Sequence, residues 1–175
     1  MSSRLDTLAA AVVKQAERKA LSIVTAESCT AGRLAALLAD TPGAGDCLRG
    51  GFVTYAKACK TEMLGVPAAM IAAHTAVSRE VAEHMVAGAL ARSGADIAIA
   101  ITGVLGPEPD EDGNPVGLIH LASAARNRPT HHAKIQSPAN SRAANRERAL
   151  VEALTLLVTA LSNLPAKAEI TEEPQ

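Results

Sequence analysis

Aromatic side chains are almost absent from this chain of 175 residues, which contains no tryptophan, one phenylalanine and one tyrosine. The core must therefore be packed with alanine, leucine, valine and isoleucine. Phe52 and Tyr55 are too few to build the stacking platforms that proteins use on single-stranded nucleic acids. A formal net charge of −1, with Lys and Arg spread along the chain, gives no basic surface for a phosphate backbone. The composition therefore argues against a nucleic-acid partner.

Cysteine and long apolar runs are also scarce. Cys29, Cys47 and Cys59 are odd in number and have no CxxC spacing, which is typical of reduced cytoplasmic thiols and not of a disulfide or zinc framework. No apolar run approaches the ~20 residues that a membrane-spanning helix needs. The segment Leu8–Val13 is too short and too helical in pattern for a signal peptide. We therefore expect a cytoplasmic protein with no membrane partner.

The chain also lacks complete motifs for metals and dinucleotides. Leu48 stands where the third glycine of a dinucleotide fingerprint would follow Gly43 and Gly45. The segment Asp110–Asn114 begins like a calcium loop, but the glycine and glutamate required at later positions are missing. The five histidines have no helical i,i+4 spacing of the kind that binds zinc. The sequence therefore predicts no metal site and no bound cofactor.

Helical and strand patterns alternate along the chain. The apolar periodicity predicts helices at Ser3–Lys19, Ala31–Ala39, Ala58–Leu64, Arg79–Ser93 and Ala139–Leu161. Strands are predicted at Leu21–Val24, Gly50–Tyr55, Asp96–Thr102, Val116–Ala124 and His132–Gln136. This alternation is typical of an α/β fold, with an antiparallel addition at the sheet edge.

The strand predicted at Asp96–Thr102 is almost continuously apolar, which indicates burial on both faces, as in a parallel sheet covered by helices. A long loop is predicted at Gly103–Pro115, and its length indicates a functional role. Pro165–Gln175 is expected to be a disordered tail. We therefore expect one domain over residues 1–164, followed by the tail over residues 165–175.

The stretch Leu21–Gly32 is the most suggestive of chemistry. A short apolar strand leads through Ser28, Cys29 and Thr30 into an alanine-rich helix. Backbone N–H groups at such a strand-to-helix turn are free to face a ligand. Ser28 could therefore be a nucleophile with oxyanion donors beside it. Alternatively, Ser28 or Thr30 is only the N-cap of the following helix.

Further polar residues follow the carboxyl ends of other predicted strands. Tyr55 and Lys60 come after the second strand, and Thr102 and Gly103 follow the third. Ligands of open α/β sheets bind beyond the carboxyl ends of the strands, so these groups could converge with Ser28. A desolvated lysine populates its neutral form and can take the proton of a serine. The alternatives are a solvated helix lysine and a threonine hydroxyl bonded to backbone.

Arg142 and Arg146 are spaced i,i+4 near the start of the predicted last helix. Together with the N-terminal amides of that helix, the two side chains could bind an anion. The alternative is a solvated basic face.

Four sequence motifs give this chain a family resemblance. TAESCTAG, GGFVTYAKACKTEMLGV, AVSREVAEHMVAGA, and ITGVLGP with NPVGLIHLA follow one another in the order found in the C-terminal domain of the competence/damage-inducible protein CinA. The chain resembles this family from about Leu5 to Leu161. Stand-alone members of the family are nicotinamide-nucleotide amidohydrolases. No residues remain here for the extra N-terminal domain of longer members, so the resemblance implies the free-standing form.

The resemblance implies a three-layer α/β/α sandwich around a mixed, mainly parallel sheet. It implies a homo-oligomeric enzyme that hydrolyses the carboxamide of nicotinamide mononucleotide (NMN) to nicotinate mononucleotide and ammonia, without a metal or cofactor. Family positions make Ser28 the nucleophile, Lys60 and Tyr55 its activating partners, and Thr102 a further active-site hydroxyl. The implied substrate-binding residues are Glu27, Cys29, Thr30, Gly103, Arg142 and Arg146.

Some departures from the family pattern bear on the substrate. Ala31 replaces a glycine, and Asn140-Ser141 replaces a Gly-Asp pair before the helix arginine. Leu105 replaces a small residue and could narrow the pocket, whereas Lys57 replaces an amide and could change its charge. None of these departures removes a proposed catalytic group. An alternative function is a nucleotide-binding or protein-interaction domain that keeps the fold without catalysis.

Overall fold

The computed structural model describes residues 3–138 and 141–170. Its helices are α1 (Arg4–Lys19), α2 (Arg33–Ala39), α3 (Ala44–Cys47), α4 (Lys57–Leu64), α5 (Ala68–His74), α6 (Arg79–Ser93), α7 (Arg142–Ser162) and α8 (Lys167–Ile170). Its strands are β1 (Ile23–Glu27), β2 (Leu48–Val53), β3 (Ile97–Gly103), β4 (Leu118–Ala125) and β5 (His131–Gln136). Within the described residues, none of the helices has both the length and the apolar character to cross a membrane.

The five strands form one mixed sheet in the order β2-β1-β3-β4-β5. The strand β1 pairs in parallel with β2 and β3, whereas β4 pairs antiparallel with β3 and β5. Four of the described strands therefore run in one direction and β4 runs against them. The carboxyl ends of β1, β2 and β3 meet at one edge of the sheet, which brings the segments that follow these strands together.

The central strand β3 is covered by helices on both faces. Ile97, Ile99 and Ile101 are fully buried in a cluster with side chains of α1, α2 and α7. Ala98 and Ala100 point to the opposite face and are buried with side chains of α4, α5 and α6. This alternation follows from the two-residue period of a strand. It confirms the α/β/α sandwich and the prediction that this strand is buried on both faces.

Close packing between α4 and α6 positions α4 against the sheet. Gly88 in α6 lies against the carbonyl group of Leu64, at a site where a Cβ atom would overlap the carbonyl oxygen. Glycine therefore lets the two helices approach more closely than alanine would. Lys60 and Leu64 are both buried and are spaced i,i+4 on one face of α4, so the same contact holds Lys60 toward the sheet.

Several element boundaries differ from the predictions. The helix predicted at Arg79–Ser93 has the same bounds in α6, whereas the strand predicted at Leu21–Val24 is displaced toward Ser28. The displacement arises because β1 pairs with β3 from Ile23 to Glu27. The sequence analysis predicted no counterparts of the helices α3, α5 and α8. The helices α3 and α8 have only four residues each, and α5 buries Ile71 alone, so none of them shows a clear apolar period.

The predicted disordered tail overlaps an ordered segment. Residues 167–170 form α8, and Lys167 Nζ lies 3.0 Å from Asp96 Oδ2. This ion pair joins the segment after α7 to the residue before β3, a long-range contact that no local pattern reveals. The remainder of the predicted tail, residues 171–175, lies outside the described residues. Residues 139 and 140 of the predicted last helix also lie outside them, and α7 begins at Arg142 with Ser141 as its N-cap.

Candidate active site

Ser28 lies immediately after β1, at the sheet edge where β2 and β3 also end. Its backbone N–H donates to the carbonyl oxygen of Ile101 at 2.9 Å, which fixes the residue beside β3. Ala31 and Gly32 follow with φ angles of 53° and 86°, so the chain turns sharply before α2 begins. Ser28 is only 8 % exposed and lines a cavity. The turn therefore presents a serine hydroxyl to this cavity.

Glu27, and not Ser28, serves the first turn of α2. The Glu27 carboxylate accepts hydrogen bonds from the N–H groups of Leu34 at 3.0 Å and Ala35 at 2.8 Å. The N-cap residue of α2 makes no side-chain hydrogen bond. The interpretation of Ser28 or Thr30 as the N-cap is therefore wrong. The implied substrate-binding residue Glu27 is fully buried in this structural role, where free helix amides stabilise its charge.

Lys60 on α4 is hydrogen-bonded to the Ser28 hydroxyl. Its Nζ lies 2.9 Å from Ser28 Oγ and 2.8 Å from the carbonyl oxygen of Thr54, with the carbonyl oxygen of Tyr55 at 3.4 Å. The lysine is only 1 % exposed, whereas lysines are almost never fully buried without partners. The structure thus brings Ser28 and Lys60 together, and excludes a solvated helix lysine at this position.

The environment of Lys60 favours its neutral form. Burial lowers the pKa of Lys60 to about 8, and the nearby charge of Lys57 acts in the same direction. Desolvation has this effect because it disfavours the ammonium form of an amine. A substantial fraction of Lys60 therefore carries a lone pair near pH 8, and this lone pair can accept the Ser28 proton.

Thr102 and Tyr55 line the same cavity but use their hydroxyl groups elsewhere. Thr102 Oγ1 donates to the carbonyl oxygen of Ala76 at 2.8 Å, which is the backbone-bonded alternative considered from the sequence. The Tyr55 ring is 59 % exposed, and its hydroxyl accepts a hydrogen bond from Arg142 at 3.3 Å. Among the described residues, Tyr55 reaches Lys60 through its backbone carbonyl. Within the described residues, the phenol therefore contacts Arg142, and the contact of Tyr55 with Lys60 is made by its backbone.

The cavity beside Ser28 has a volume of about 370 Å³, which lies in the range of small-molecule sites. All four predicted catalytic residues line it, namely Ser28, Tyr55, Lys60 and Thr102. Leu105 also lines the cavity and is 2 % exposed, because most of its side chain packs into the core beneath α7. Leu105, which departs from the family pattern, therefore gives the cavity an apolar wall without filling it.

Arg142 and Arg146 lie in different cavities despite their i,i+4 spacing. Arg142 Nη1 donates to the carbonyl oxygen of Gly106 at 2.7 Å, and its Nη2 donates to the Tyr55 hydroxyl at 3.3 Å. Arg142 lines the cavity beside Ser28. Arg146 lines a separate hollow between α1, α2 and α7. Of the two predicted anion-binding residues, the structure therefore places Arg142 at the candidate active site.

Of the remaining predicted site residues, two line the cavity and one does not. Cys29 and Gly103 line the cavity, and a Cβ atom on Gly103 would lie 2.8 Å from the carbonyl oxygen of Leu118. Burial raises the pKa of Cys29 to about 12, so its thiol stays protonated and does not compete with Ser28 as a nucleophile. Thr30 is fully buried outside the cavity lining, and its Oγ1 has no hydrogen-bond partner within the described residues.

The sequence analysis did not predict the charged rim of the cavity, which is formed by Lys57 on α4 and by Glu111 and Asp112 on the loop after β3. Lys57 Nζ lies 2.6 Å from Glu111 Oε1 and 2.8 Å from Asp112 Oδ2. Asp110 supports this part of the loop by accepting a hydrogen bond from the N–H of Asp112 at 3.1 Å. The two carboxylates raise the pKa of Lys57, so the amine stays protonated and is paired with both of them. The acidic run in the loop was the available sequence signal, but its pairing with Lys57 depends on how the loop folds over the cavity.

Asn145 on α7 is another residue that the sequence analysis missed. It is fully buried, and its Nδ2 donates to the carbonyl oxygen of Leu105 at 3.1 Å. The next carbonyl group, that of Gly106, accepts the bond from Arg142. The helix α7 therefore holds the start of the loop over the cavity through two side chains. A polar amide on the same helix face as the buried Ala149 was the sequence signal for such a role.

The histidines lie outside the lining of this cavity. His120 Nδ1 lies 3.0 Å from His132 Nε2 across β4 and β5. Burial lowers the pKa of His120 to about 4, and the neighbouring His132 adds to the effect. In residues 3–138 and 141–170, no group of three or more His, Cys, Asp and Glu side chains is arranged to hold a metal ion.

Comparison with known sequences gives consistent matches. The family model described as the CinA C-terminal domain matches residues 5–161. A CinA-like protein of Mycolicibacterium gilvum is 48 % identical over 141 residues, which are 81 % of this chain and 33 % of that protein. A CinA-like protein of Mycobacterium marinum is 44 % identical over 160 residues, which are 91 % of this chain and 36 % of that protein. The chain thus spans about a third of the length of these curated relatives.

Comparison with solved structures gives matches over nearly the full chain. The competence/damage inducible protein CihA from Agrobacterium tumefaciens has a TM-score of 0.88 and 36 % identity, covering 93 % of this chain and 98 % of its own. A competence-damaged protein (CinA) superfamily protein from Klebsiella pneumoniae has a TM-score of 0.87 and 32 % identity, covering 91 % of this chain and 99 % of its own.

Proposed function

Because the chain belongs to the CinA C-terminal domain family, we propose that it hydrolyses the carboxamide of NMN to nicotinate mononucleotide and ammonia. The observation that carries the proposal is the 2.9 Å contact between the buried Lys60 Nζ and Ser28 Oγ beside a cavity of about 370 Å³. A nucleophile within hydrogen-bond reach of a base, inside a cleft, is the arrangement that covalent amide hydrolysis requires.

The first half of the reaction forms an acyl-enzyme. Neutral Lys60 accepts the Ser28 proton while Oγ bonds to the carboxamide carbon, which gives a tetrahedral intermediate with a negative oxygen. The protonated Lys60 then donates its proton to the amide nitrogen. The C–N bond breaks, ammonia leaves, and the nicotinoyl group remains as an ester of Ser28. Lys60 accepts a proton in the first step and donates it in the second. A pKa of about 8 suits both steps, because neither form of the amine is strongly disfavoured near neutral pH.

The second half of the reaction releases the acid. Lys60, neutral again after ammonia formation, accepts a proton from water as the water oxygen attacks the ester carbon. Collapse of this second intermediate breaks the ester bond, and Lys60 returns the proton to Ser28 Oγ. The product leaves as nicotinate mononucleotide, whose carboxylic acid gives its remaining proton to the solvent and becomes the carboxylate. The cavity beside Lys60 leaves room for this water once ammonia has left.

Stabilisation of the tetrahedral oxygen requires N–H donors beside Ser28. The Ser28 N–H is unavailable because it donates to Ile101 on β3. The next N–H along the turn belongs to Cys29, a residue that lines the cavity. We assign the oxyanion contact to this N–H. Cys29 would then contribute through its backbone N–H, while its thiol stays protonated.

Recognition of the nucleotide rests on Arg142. Lys57 is neutralised by Glu111 and Asp112, whereas Arg142 is held by two uncharged acceptors, the Gly106 carbonyl and the Tyr55 hydroxyl. Arg142 therefore forms no ion pair with the described residues, and its guanidinium can bind a single phosphate group. The proposal includes a cytoplasmic homo-oligomer, as in the family resemblance.

The test is ammonia release from NMN by the purified protein, with nicotinate mononucleotide identified by mass spectrometry. Equimolar appearance of the two products supports the proposal. Saturable binding of NMN without turnover would instead support the alternative of a nucleotide-binding domain that lacks catalysis. Turnover of another pyridine amide but not of NMN would retain the chemistry and replace the substrate. The Ser28→Ala protein, assayed in parallel, excludes a contaminating amidase.

A further inference from the structure

The cavity beside Ser28 carries acidic side chains that the proposed reaction does not use. Glu108, Asp110 and Glu111 line it, and all three lie on the loop between β3 and β4. NMN has a positive charge on its pyridinium ring as well as a negative phosphate. The phosphate is assigned to Arg142, whereas the ring charge has no partner in the proposed mechanism.

Two of these three carboxylates already have partners. Glu111 Oε1 lies 2.6 Å from Lys57 Nζ. Both oxygens of Asp110 accept hydrogen bonds from Asn114, Oδ1 from its N–H and Oδ2 from its Nδ2, each at 2.8 Å. The side chain of Glu108 is exposed, and in the described part of the chain its carboxylate forms no hydrogen bond or ion pair. Both oxygens of Glu108 are therefore available to a ligand in the cavity.

The backbone holds Glu108 close to Arg142. The carbonyl oxygen of Gly106 accepts the 2.7 Å hydrogen bond from Arg142 Nη1. Since consecutive Cα atoms are 3.8 Å apart or less, the Cα of Glu108 lies at most ~7.6 Å from that of Gly106. Pro107 and Pro109 flank Glu108 and restrict its backbone to few conformations. A carboxylate is thus held near the guanidinium without forming an ion pair with it.

These two groups match the two charges of NMN. The phosphate pairs with Arg142 in the proposed function, and the ring, which is joined to the phosphate by a single ribose, carries the opposite charge. We infer that Glu108 is a specificity-determining residue that pairs with the pyridinium cation. The inference rests on the proposed function, because it takes NMN as the ligand of this cavity. It follows that the site distinguishes the cationic oxidised ring from the neutral dihydropyridine ring of the reduced nucleotide.

Tyr55 gives the cavity a second feature that binds cationic rings. Its side chain is 59 % exposed, and it is the sole aromatic residue among the described residues of the cavity lining. The face of an aromatic ring attracts a cation, and a planar cation can also stack on it. A pyridinium ring in the cavity would therefore meet an exposed aromatic ring and the free carboxylate of Glu108, whereas a neutral ring gains neither charge contact.

The test compares the binding of NMN with that of reduced NMN (NMNH). The two ligands have the same phosphate, ribose and carboxamide and differ in the charge of the ring. Calorimetry uses the full chain with Ser28→Ala, so that NMN is not consumed, in mildly alkaline buffer, where NMNH is stable. Adding Glu108→Gln should weaken NMN about 2- to 5-fold and leave NMNH unchanged, as expected for one solvent-exposed ion pair. High salt should reduce the effect.

Three further variants in the same background serve as controls. Glu108→Asp keeps the charge and should keep the preference for NMN. Glu62→Gln removes an equal charge from an exposed position of α4 outside the cavity lining, and should change the affinity of neither ligand. Arg142→Ala should weaken both ligands by the same factor, because both carry the phosphate. Thermal unfolding of each variant checks that the fold is intact.

Two results would overturn the inference. One is an equal effect, or none, of Glu108→Gln on NMN and NMNH. The other is tighter binding of both ligands, which would show that the carboxylate faces the phosphate. The hydrolysis is judged separately, by ammonia release from NMN in the otherwise wild-type protein. Charge-selective binding without hydrolysis would keep the role of Glu108 and refute the reaction, whereas hydrolysis with no selective effect of Glu108→Gln would do the reverse.

Discussion

Lys60 Nζ lies 2.9 Å from Ser28 Oγ, and both side chains are withdrawn from solvent. The serine follows β1, and the lysine is carried by α4, which packs against α6 on one face of the sheet. The pair therefore exists only in the folded chain. Since the same burial that unites the two groups also lowers the lysine pKa, packing and reactivity depend on each other at this site.

Replacement of Ser28 by alanine tests the nucleophile. Ser28→Ala should lower the turnover of NMN by ~10³-fold or more, because the acyl-enzyme can no longer form. Stability should fall only modestly: the hydroxyl caps no helix and the backbone bond to Ile101 remains, but the buried Lys60 loses one of its partners. The matched control is Thr30→Val, which replaces a nearby unpaired hydroxyl by a methyl group and should keep both activity and stability. Turnover in a well-folded Ser28→Ala protein would refute the assignment.

The pH dependence tests the role of Lys60. The neutral amine is the active form, so kcat/KM should fall as the pH drops below the Lys60 pKa of about 8 in the free protein and reach a plateau above it. Lys60→Arg should be nearly inactive at every pH, because arginine stays protonated. Stopped-flow or steady-state ammonia release over pH 6–10 gives the profile. Wild-type-like activity in Lys60→Arg would mean that the residue acts as a fixed charge and not as a base.

The proximity of Ser28 and Lys60 could be predicted from the sequence, because it depends on a general property of parallel sheets. Both follow strands of a sheet whose parallel strands end at one edge, so the convergence could be inferred without a structure. The helix α6 was equally predictable, since its serine cap, apolar face and terminal glycine all agree on the same bounds.

The side-chain directions at the rim could not be inferred in the same way. Arg146 is spaced i,i+4 from Arg142, yet its side chain lies in the hollow beside α1 and α2. Residues four apart on a helix are rotated slightly around its axis, and the packing of α7 against its neighbours decides which hollow each side chain enters. Tyr55 approaches Lys60 with its carbonyl instead of its phenol. These details depend on tertiary packing, which has no local signature.

Substitution of Glu27 distinguishes a structural from a substrate-binding role. Glu27→Gln keeps the size of the side chain but removes the charge that accepts two N–H groups of α2. We expect the free energy of unfolding to fall by about 1–3 kcal/mol, as for buried hydrogen bonds to a charged group. KM for NMN should stay near the wild-type value in the folded protein. A rise in KM without loss of stability would place Glu27 in contact with the substrate.

Removal of the Lys57 charge tests whether the two carboxylates at the rim must be paired with a cation. Lys57→Met leaves Glu111 and Asp112 unpaired near the bound phosphate, so KM for NMN should rise by about 3- to 10-fold while kcat is kept. High salt should reduce the effect, because exposed charges are screened. The triple variant with Glu111→Gln and Asp112→Asn removes the repulsion by both carboxylates and should return KM to the wild-type value or below it. Failure of this recovery would show that the ion pairs act by shaping the loop.

Arg142 gives the sharpest test of substrate recognition, because the chain supplies its own control. Arg142→Ala should weaken NMN binding by about 10- to 150-fold, the equivalent of one charge-assisted contact to phosphate. Arg146→Ala removes the same charge one helical turn away in another cavity and should have little effect. Tyr55→Phe removes one partner of the guanidinium and keeps its charge, so it measures how much the present hydrogen bond positions Arg142.

The phosphate itself provides the second comparison for Arg142. Nicotinamide riboside has the same carboxamide but no phosphate, so its poorer turnover should hardly change in Arg142→Ala. The ratio of kcat/KM for the two substrates, measured in wild type and variant, isolates the phosphate contact from effects on the chemistry. Equal losses for both substrates would show that Arg142 acts through its bond to Gly106, by holding the loop over the cavity, and does not recognise the phosphate.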